Sequence, residues 1–390
     1  MRTQLISCWY RPGTFLKFYG VDMIDEIHCG NAIDVLKQLP DDSVDCCITS
    51  PPYWSLRSYD VDGQIGLEKD FHEYLRILLQ VFSEVKRVLK KEGTLWINMG
   101  DSYASSGSQE TRFWHGDNPG KHRLGGDGEL SKGYSGRART NEVAAKSLML
   151  IPERFSIGMV DELGFILRNV LIWHKPNPMP SSAKDRFTND FEYLYFFTKS
   201  KKYYFEQQFE PTVGIDLGNG TIQYPYRKMY TGRHKRGYEN EDAKDSGAAS
   251  WTPKERHYNP KGRNKRSVWN VATSGSQWEY CKHCDTFYNS RKRITKRVVV
   301  DRKTIKYCNK CNATDGWVGH FASFPEALIE IPVRAGCPEG GIVLDPFIGS
   351  GTTAIVAIRN RRRYIGIDIN PDYVAIAKHR IKEVQLELCL

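Results

Sequence analysis

The stretch VLDPFIGSGTTAIVAIRNRRRYIGIDI, residues 343–369, constrains the fold more than any other. An apolar run ends at Asp345-Pro346, and two glycines, Gly349 and Gly351, make a tight turn. TTAIVAIRN then has the apolar density of a buried helix, and a second apolar run ends at Asp368, 17 residues beyond Gly351. Strand, glycine turn, helix and strand make a βαβ unit. Its two strands run parallel, so the sheet needs helices over its faces.

The same alternation recurs upstream. IDEIHC and VDCCITS read as strands, the second apolar on both faces. Residues 71–91 place apolar side chains at 71, 74, 75, 78, 82, 85 and 89, a helical stripe. GTLWINM, ILRNVLIWH and FEYLYFFTK are further strands, PERFSIGMVDEL is a helix with proline near its start, and FPEALIEIPVRA and PDYVAIAKHRIKEVQLEL are helices. Residues 101–145, rich in Gly, Ser and charge, predict a long loop, either a lid or a disordered connection. Residues 201–320 break the alternation and read as an inserted module.

A glycine turn between strand and helix lets a ligand approach bare backbone, and an acid at the end of the next strand can accept from ribose hydroxyls. NAD, FAD and S-adenosylmethionine all suit that pattern, in which Ala354 stands where a third glycine would be. Asp345 would repel a pyrophosphate and attract a cationic amino-acid portion, which favours S-adenosylmethionine.

Charge adds a partner. The chain carries a net charge of +10, but residues 221–310 hold 22 Lys and Arg against 8 Asp and Glu, while the rest holds 34 against 38. The basic surplus therefore belongs to one segment. Trp251, Tyr258, Trp269, Trp278, Tyr280 and Tyr288 are interleaved with it, which favours a nucleic-acid surface over a disordered solvated loop. The ten cysteines include Cys281-x-x-Cys284 and Cys308-x-x-Cys311, with 23 residues between the pairs. Four thiolates so spaced suit tetrahedral zinc, and the basic RKRITKRVVVDRKTIKY between them reads as a β-hairpin. Two redox CxxC motifs are the alternative, without a thioredoxin-like context. His283, inside a knuckle, is not needed as a ligand. Cys46 and Cys47 point to opposite faces of a strand and read as core. No apolar run is long enough for a membrane span, and the first 22 residues show no signal-peptide pattern.

CCITSPPYW, residues 46–54, leaves a buried strand through two prolines and two aromatics. TSPPY together with DPFIGSGTT resembles the DNA amino-methyltransferases, which methylate exocyclic nitrogens of bases. GNAIDVLKQLPDDSVD, WHKPNPMP and HFASFPEAL also match that family's layout, across residues 24–200 and 320–385. The order, TSPPY first and glycine turn last, resembles the β class of circularly permuted members.

The resemblance implies a Rossmann-like α/β fold, a circularly permuted S-adenosylmethionine-dependent methyltransferase with an inserted zinc-bearing target-recognition module. The expected parts are an extension at 1–22 and a catalytic half at 23–200. A basic insertion at 201–320 follows, with zinc knuckles at 281–311, and then a cofactor half at 321–390. Ser50 and the carbonyl of Pro51 would accept from the target amine. Pro51 and Pro52 would hold that exit rigid, and Tyr53 would stack on a flipped base. Asn31, Asp34, Asp345, Phe347, Gly349, Gly351, Thr352 and Asp368 would hold the cofactor. A packed aromatic is the other reading of Tyr53. Trp54, Lys175 and Asn177 would line the substrate pocket, with a plain turn as the other reading of Lys175 and Asn177. Arg291 and Arg293 would contact phosphates, and Cys281, Cys284, Cys308 and Cys311 would hold zinc. In this family Ser before PPY goes with cytosine N4 and Asp or Asn with adenine N6, so cytosine is expected and adenine is the alternative. Duplex DNA is the expected partner, with a cognate restriction endonuclease, in the cytoplasm of a prokaryotic or phage-infected cell. A nicotinamide oxidoreductase would leave TSPPY unexplained. A non-catalytic zinc protein would not need it, and RNA or a protein glutamine as substrate is opposed by the resemblance alone or by the basic insertion.

Overall fold

The computed structural model describes residues 17–18, 21–59, 61–105, 138–139, 142–210, 215–216, 222–223, 262–273, 278–289, 296–300, 303–319 and 324–388. β1 (Glu26–Cys29) leads to Asn31, whose carboxamide oxygen accepts from Ile33 N at 2.9 Å and so opens α1 (Ala32–Leu36). β2 (Val44–Thr49) is the strand of the paired cysteines. α2 (Phe71–Val88) begins at Asp70, whose carboxylate accepts from Glu73 N at 2.9 Å. Lys86 and Arg87 sit in its last turn, where the helix dipole favours cations. The apolar stripe runs on to Leu89, but the helix stops at Val88. Leu89 pairs with Val44 and opens β3 (Leu89–Met99).

α3 (Ile151–Asp161), β4 (Ile166–His174), β5 (Phe191–Thr198) and β6 (Val268–Asn270) follow. The cysteine pairs lie among β7 (Trp278–Cys281), β8 (Thr286–Asn289), β9 (Lys296–Val300), β10 (Lys303–Tyr307) and β11 (Trp317–Gly319). The chain closes with α4 (Glu326–Gly336), β12 (Ile342–Asp345), α5 (Thr352–Arg359), β13 (Arg363–Asp368) and α6 (Pro371–Leu388).

Eight strands form one sheet in the order β6-β4-β5-β3-β2-β12-β13-β1, and only β5 runs antiparallel to its neighbours. Two cores flank it. Cys47, Leu95 and Leu344 face a cluster with α1, α2 and α3, while Cys46, Ile48 and Val343 face a cluster with α4, α5 and α6. The two cysteines thus point to opposite faces, as strand geometry requires. β2 leads through α2 to β3 on one side, and β12 leads through α5 to β13 on the other. Adjacent strands whose connections diverge leave a crevice at their C-terminal ends, where ligands bind in open α/β sheets.

The insertion is smaller than the sequence suggests. Residues 207–266 form a compact unit of their own, while 1–206 and 267–390 form the other. Chain breaks in strand alternation do not reveal where a later segment rejoins a sheet. Here Tyr204 N donates to Glu92 O at 2.9 Å, and Val268–Asn270 pairs in parallel with Ile172–His174. Within residues 207–266, Phe209–Glu210 pairs with Arg263–Asn264, and the Glu210 carboxylate accepts from Arg263 and Arg266. Of the expected loop at 101–145, residues 106–137 and 140–141 lie outside the described residues, as do 1–16 at the chain start. No described helix is long and apolar enough to cross a membrane.

Candidate active site and cysteine cluster

A cavity of about 540 Å³ opens at the C-terminal ends of β2, β12 and β13. On one side it meets the exit of β2. Ser50, Pro51, Pro52 and Tyr53 all line it. Tyr74 Oη donates to the carbonyl of Pro52 at 2.7 Å and anchors the rigid exit to α2. Pro51, one residue earlier, has no hydrogen-bond donor on its carbonyl among the described residues.

Tyr53 does more than present a ring. Its hydroxyl donates to Glu192 Oε2 at 2.7 Å and lies 3.4 Å from Asn98 Oδ1. Burial and then the nearby Glu192 carboxylate push the phenol well above its ordinary value, against a hydrogen bond from Ser50. Tyr53 therefore stays a neutral donor. Glu192 in turn is ion-paired with Lys175, whose ammonium sits 4.6 Å from the centre of the Trp173 ring. Lys175, Asn177 and Glu192 all line the cavity. Asn177 closes a two-point contact with Thr273, accepting from its N–H at 2.9 Å and donating to its carbonyl at 3.3 Å.

The opposite wall comes from the glycine turn. Phe347, Gly349, Thr352, Asp368 and Asn31 line it. Asp368 Oδ2 accepts from Gly349 N at 2.9 Å and its Oδ1 from Asn370 N at 2.8 Å, so the carboxylate is fixed at the end of β13. Burial pushes its pKa up to about 6. A fixed, partly dehydrated carboxylate on a cavity wall is a fitting acceptor for ligand hydroxyls, and the donor set fits the adenosyl ligand expected from the glycine turn.

Four expected contacts lie elsewhere. Asp345 is 1% exposed and absent from the cavity wall. It accepts from the hydroxyls of Thr49 and Thr353, both at 2.6 Å, and from Phe347 N at 3.0 Å. It pins β2 and α5 to the turn instead of facing a ligand. Gly351 also lies behind the wall, where its φ of 85° and the closeness of α6 require glycine. Asp34 is exposed on the first turn of α1, outside the cavity lining. Trp54 is core: it is 4% exposed, donates to Glu68 O at 3.1 Å and meets Phe71 edge-on at 6.0 Å. Sequence shows an aromatic after Tyr53 but not which way the chain turns. Cys46 and Cys47 are fully buried, and burial pushes the Cys46 thiol up to about 12 and Cys47 higher than its ordinary value.

Glu192 and Asn98 went unrecognised in the sequence. Each had a faint signal: an acid at the start of the aromatic strand FEYLYFFT, and an amide inside LWINM. Asn98 is 2% exposed and donates to Tyr193 O at 3.1 Å. Strand patterning alone does not say that β5 lies beside β3, which is what brings both residues to Tyr53.

The four knuckle cysteines also converge. The sulfurs of Cys281, Cys284, Cys308 and Cys311 all lie within 4.8 Å of one another. Cys281–Cys311 is 3.7 Å and Cys284–Cys308 is 3.4 Å. Zinc–thiolate bonds of about 2.3 Å at tetrahedral angles place sulfurs about 3.8 Å apart. Burial pushes the Cys308 thiol up, but hydrogen bonds, first from Tyr288 and then from backbone N–H groups, outweigh it and bring it down to about 6. His283 pairs with Asp315 at 2.9 Å and is outside the cluster. The cysteines tie the three-stranded sheet β8-β7-β11 to the expected hairpin, in which Lys296 pairs with Tyr307 and Val300 with Lys303. This module rests on α6: Phe287 stacks on His379 at 4.0 Å and 8°, and Lys282 pairs with Asp372. Arg291 and Arg293 lie outside the described residues.

Comparison with known proteins fits this geometry. The DNA methylase family model for N6 and N4 methyltransferases matches residues 44–379. The type II methyltransferase M.Cfr9I of Citrobacter freundii is 34% identical over 354 residues, 90% of this chain and 86% of that protein. M.SmaI of Serratia marcescens is 31% identical over 357 residues, 91% of this chain and 90% of that protein. Among solved structures, the cytosine-N4-specific PvuII DNA methyltransferase superposes with a TM-score of 0.50 at 19% identity, over 93% of this chain and 92% of that one, which shows a common fold. With the family model matched over most of the chain and relatives above 30% identity over nine-tenths of it, this chain belongs to the N6/N4 DNA methylase family.

Proposed function

We propose that the protein transfers a methyl group from S-adenosylmethionine to the exocyclic N4 of a flipped-out cytosine in duplex DNA, at a specific site. The observation that carries this is the exit of β2. Ser50 lines the cavity on this rigid segment, and its hydroxyl oxygen offers lone pairs to an incoming amine. The Pro51 carbonyl is a second acceptor on the same rigid segment. An exocyclic amine is a poor nucleophile because its lone pair conjugates with the ring. Two acceptors that take its N–H bonds turn that lone pair out of conjugation, and fixed acceptors cost no reorganisation. Bound S-adenosylmethionine supplies the electrophilic methyl on a sulfonium. Asp368 and Asn31 would hold its adenosine portion, a reading supported by their place in the cavity lining beside Phe347 to Ser350. The base must leave the duplex to reach Ser50, and the Tyr53 ring would stack on it.

Serine rather than Asp or Asn before Pro-Pro-Tyr supports cytosine, because in the family this chain resembles that serine goes with cytosine N4. Adenine N6 is the alternative. The order of the two motifs supports the permuted β class. Digesting DNA methylated by the protein to nucleosides and separating them by mass spectrometry decides the base. N4-methylcytosine is expected, N6-methyladenine alone rejects the base assignment, and no methylated nucleoside rejects the activity. Ser50→Ala is expected to lose roughly 100-fold or more in kcat.

The cysteine cluster is proposed as a structural zinc site, supported by its sulfur spacing. It holds the basic hairpin as a DNA-facing arm. One zinc per chain by elemental analysis is expected, and about zero in metal-replete preparations sinks it. A cognate restriction endonuclease is the proposed biological partner.

A further inference from the structure

The methylated nitrogen must shed a proton, and polar groups that can receive it line the same cavity. Ser50 and Tyr53 lie three residues apart on the rigid exit of β2, and both line the cavity together with Glu192. Tyr53 Oη donates to Glu192 Oε2 at 2.7 Å. The Glu192 side chain is 16% exposed, against Lys175 at 19%. The Tyr53 hydroxyl is the donor of the observed pair and points toward Glu192.

We propose that Glu192 is the terminal acceptor of the proton shed by the target amine, reached through the hydroxyls of Ser50 and Tyr53. Lys175, paired with the other carboxylate oxygen, fixes how Glu192 is turned. This rests on the amino-methyltransferase reading above and adds a proton path to it. The step balances as follows. The amine nitrogen bonds to the methyl carbon as the carbon–sulfur bond breaks, and that electron pair leaves on sulfur. The nitrogen then carries one proton too many. That proton passes to Ser50 Oγ as the Ser50 proton passes to Tyr53 Oη and the Tyr53 proton to Glu192 Oε2. The products are a neutral methylated amine, a thioether and a neutral Glu192 carboxyl beside the Lys175 ammonium. Glu192 touches no reacting atom, so it is a positioning residue that also takes the displaced charge.

A relay of this kind fails as a unit, which separates it from independent packing roles. The test uses the full chain, S-adenosylmethionine and methylatable DNA in single-turnover reactions with wild type, Glu192→Gln, Tyr53→Phe and the double variant. Each single variant is expected to lose about 100-fold in rate. The KM for S-adenosylmethionine is expected to stay within about threefold, since neither residue is on the cofactor wall. The double variant is expected to be no slower than either single one. The solvent isotope effect of the wild type is expected to vanish in Tyr53→Phe. A wild-type rate in Glu192→Gln, or losses that multiply in the double variant, overturns the relay while leaving the methyltransferase reading intact. A wild type that methylates no exocyclic amine overturns both. Tyr53→Phe tests the same path if Glu192→Gln does not fold.

Discussion

Asp345 shows how one residue's chemistry depends on what surrounds it. Burial pushes its pKa up to about 6, with hydrogen bonds from Thr353, Thr49 and Phe347 N pulling the other way. The folded state therefore holds this proton more tightly than the unfolded chain does. Stability from this group is greatest below about pH 4, declines as pH rises to about 6, and is flat above, an effect on the order of 3 kcal/mol. Asp368, raised to about 6 by burial, adds a decline in the same window. Asp345→Asn is expected to remove roughly half of this pH dependence in thermal melts of the ligand-free protein, because the amide keeps an acceptor for Thr49 and Phe347 N and carries no charge. An unchanged slope contradicts the assignment. Asp345 thus serves the turn, and Asp368 is left as the carboxylate on the glycine-turn wall of the cavity.

At the scale of elements, the junction of β12, the glycine turn and α5 sets the cofactor wall. Gly351 caps α5 with φ at 85°, and a Cβ there would stand 3.0 Å from Ala377 Cβ and 3.2 Å from Ala377 Cα on α6. Backbone on α6 cannot yield as a side-chain end does. Gly351→Ala is expected to cost about 1–3 kcal/mol in thermal or denaturant unfolding, from the strained conformation and from the clash. It also pushes α5 off α6, so Ser350 and Thr352 on the cavity wall shift and S-adenosylmethionine binds more weakly by calorimetry. A variant with unchanged melting temperature and affinity contradicts this. The same scale explains the exit of β2: Tyr74, one turn into α2, holds the Pro52 carbonyl, so the helix that follows the exit also fixes it.

Across the whole molecule, charge and chemistry are segregated. The methyl-transfer cavity sits in the α/β core, while the basic surplus belongs to residues 221–310. The cysteine module leans on α6, the helix whose first turn brings Tyr373 to the cavity. On the zinc proposal, a chelator is expected to weaken DNA binding across all sequences, because removing the ion would free a basic arm from its frame. S-adenosylmethionine affinity is expected to hold, since the cofactor wall belongs to strands and helices with no cysteine ligand. Loss of both together shows that the module supports the core itself.

The sequence by itself determined the strand–helix alternation, the glycine turn, the SPPY exit and the convergent cysteines. Each of these is written in local periodicity or fixed spacing, which backbone geometry converts directly into structure. Tertiary structure alone decided which of the named residues face the cavity. Trp54 turned into the core, Asp345 became a pin, and Val268–Asn270 returned to a sheet that its own sequence does not announce. Glu192 reached Tyr53, 139 residues away in sequence, only because β5 inserts antiparallel beside β3, a pairing that no local pattern encodes. Side-chain identity states what a residue can do; the order of strands in the sheet states what it meets.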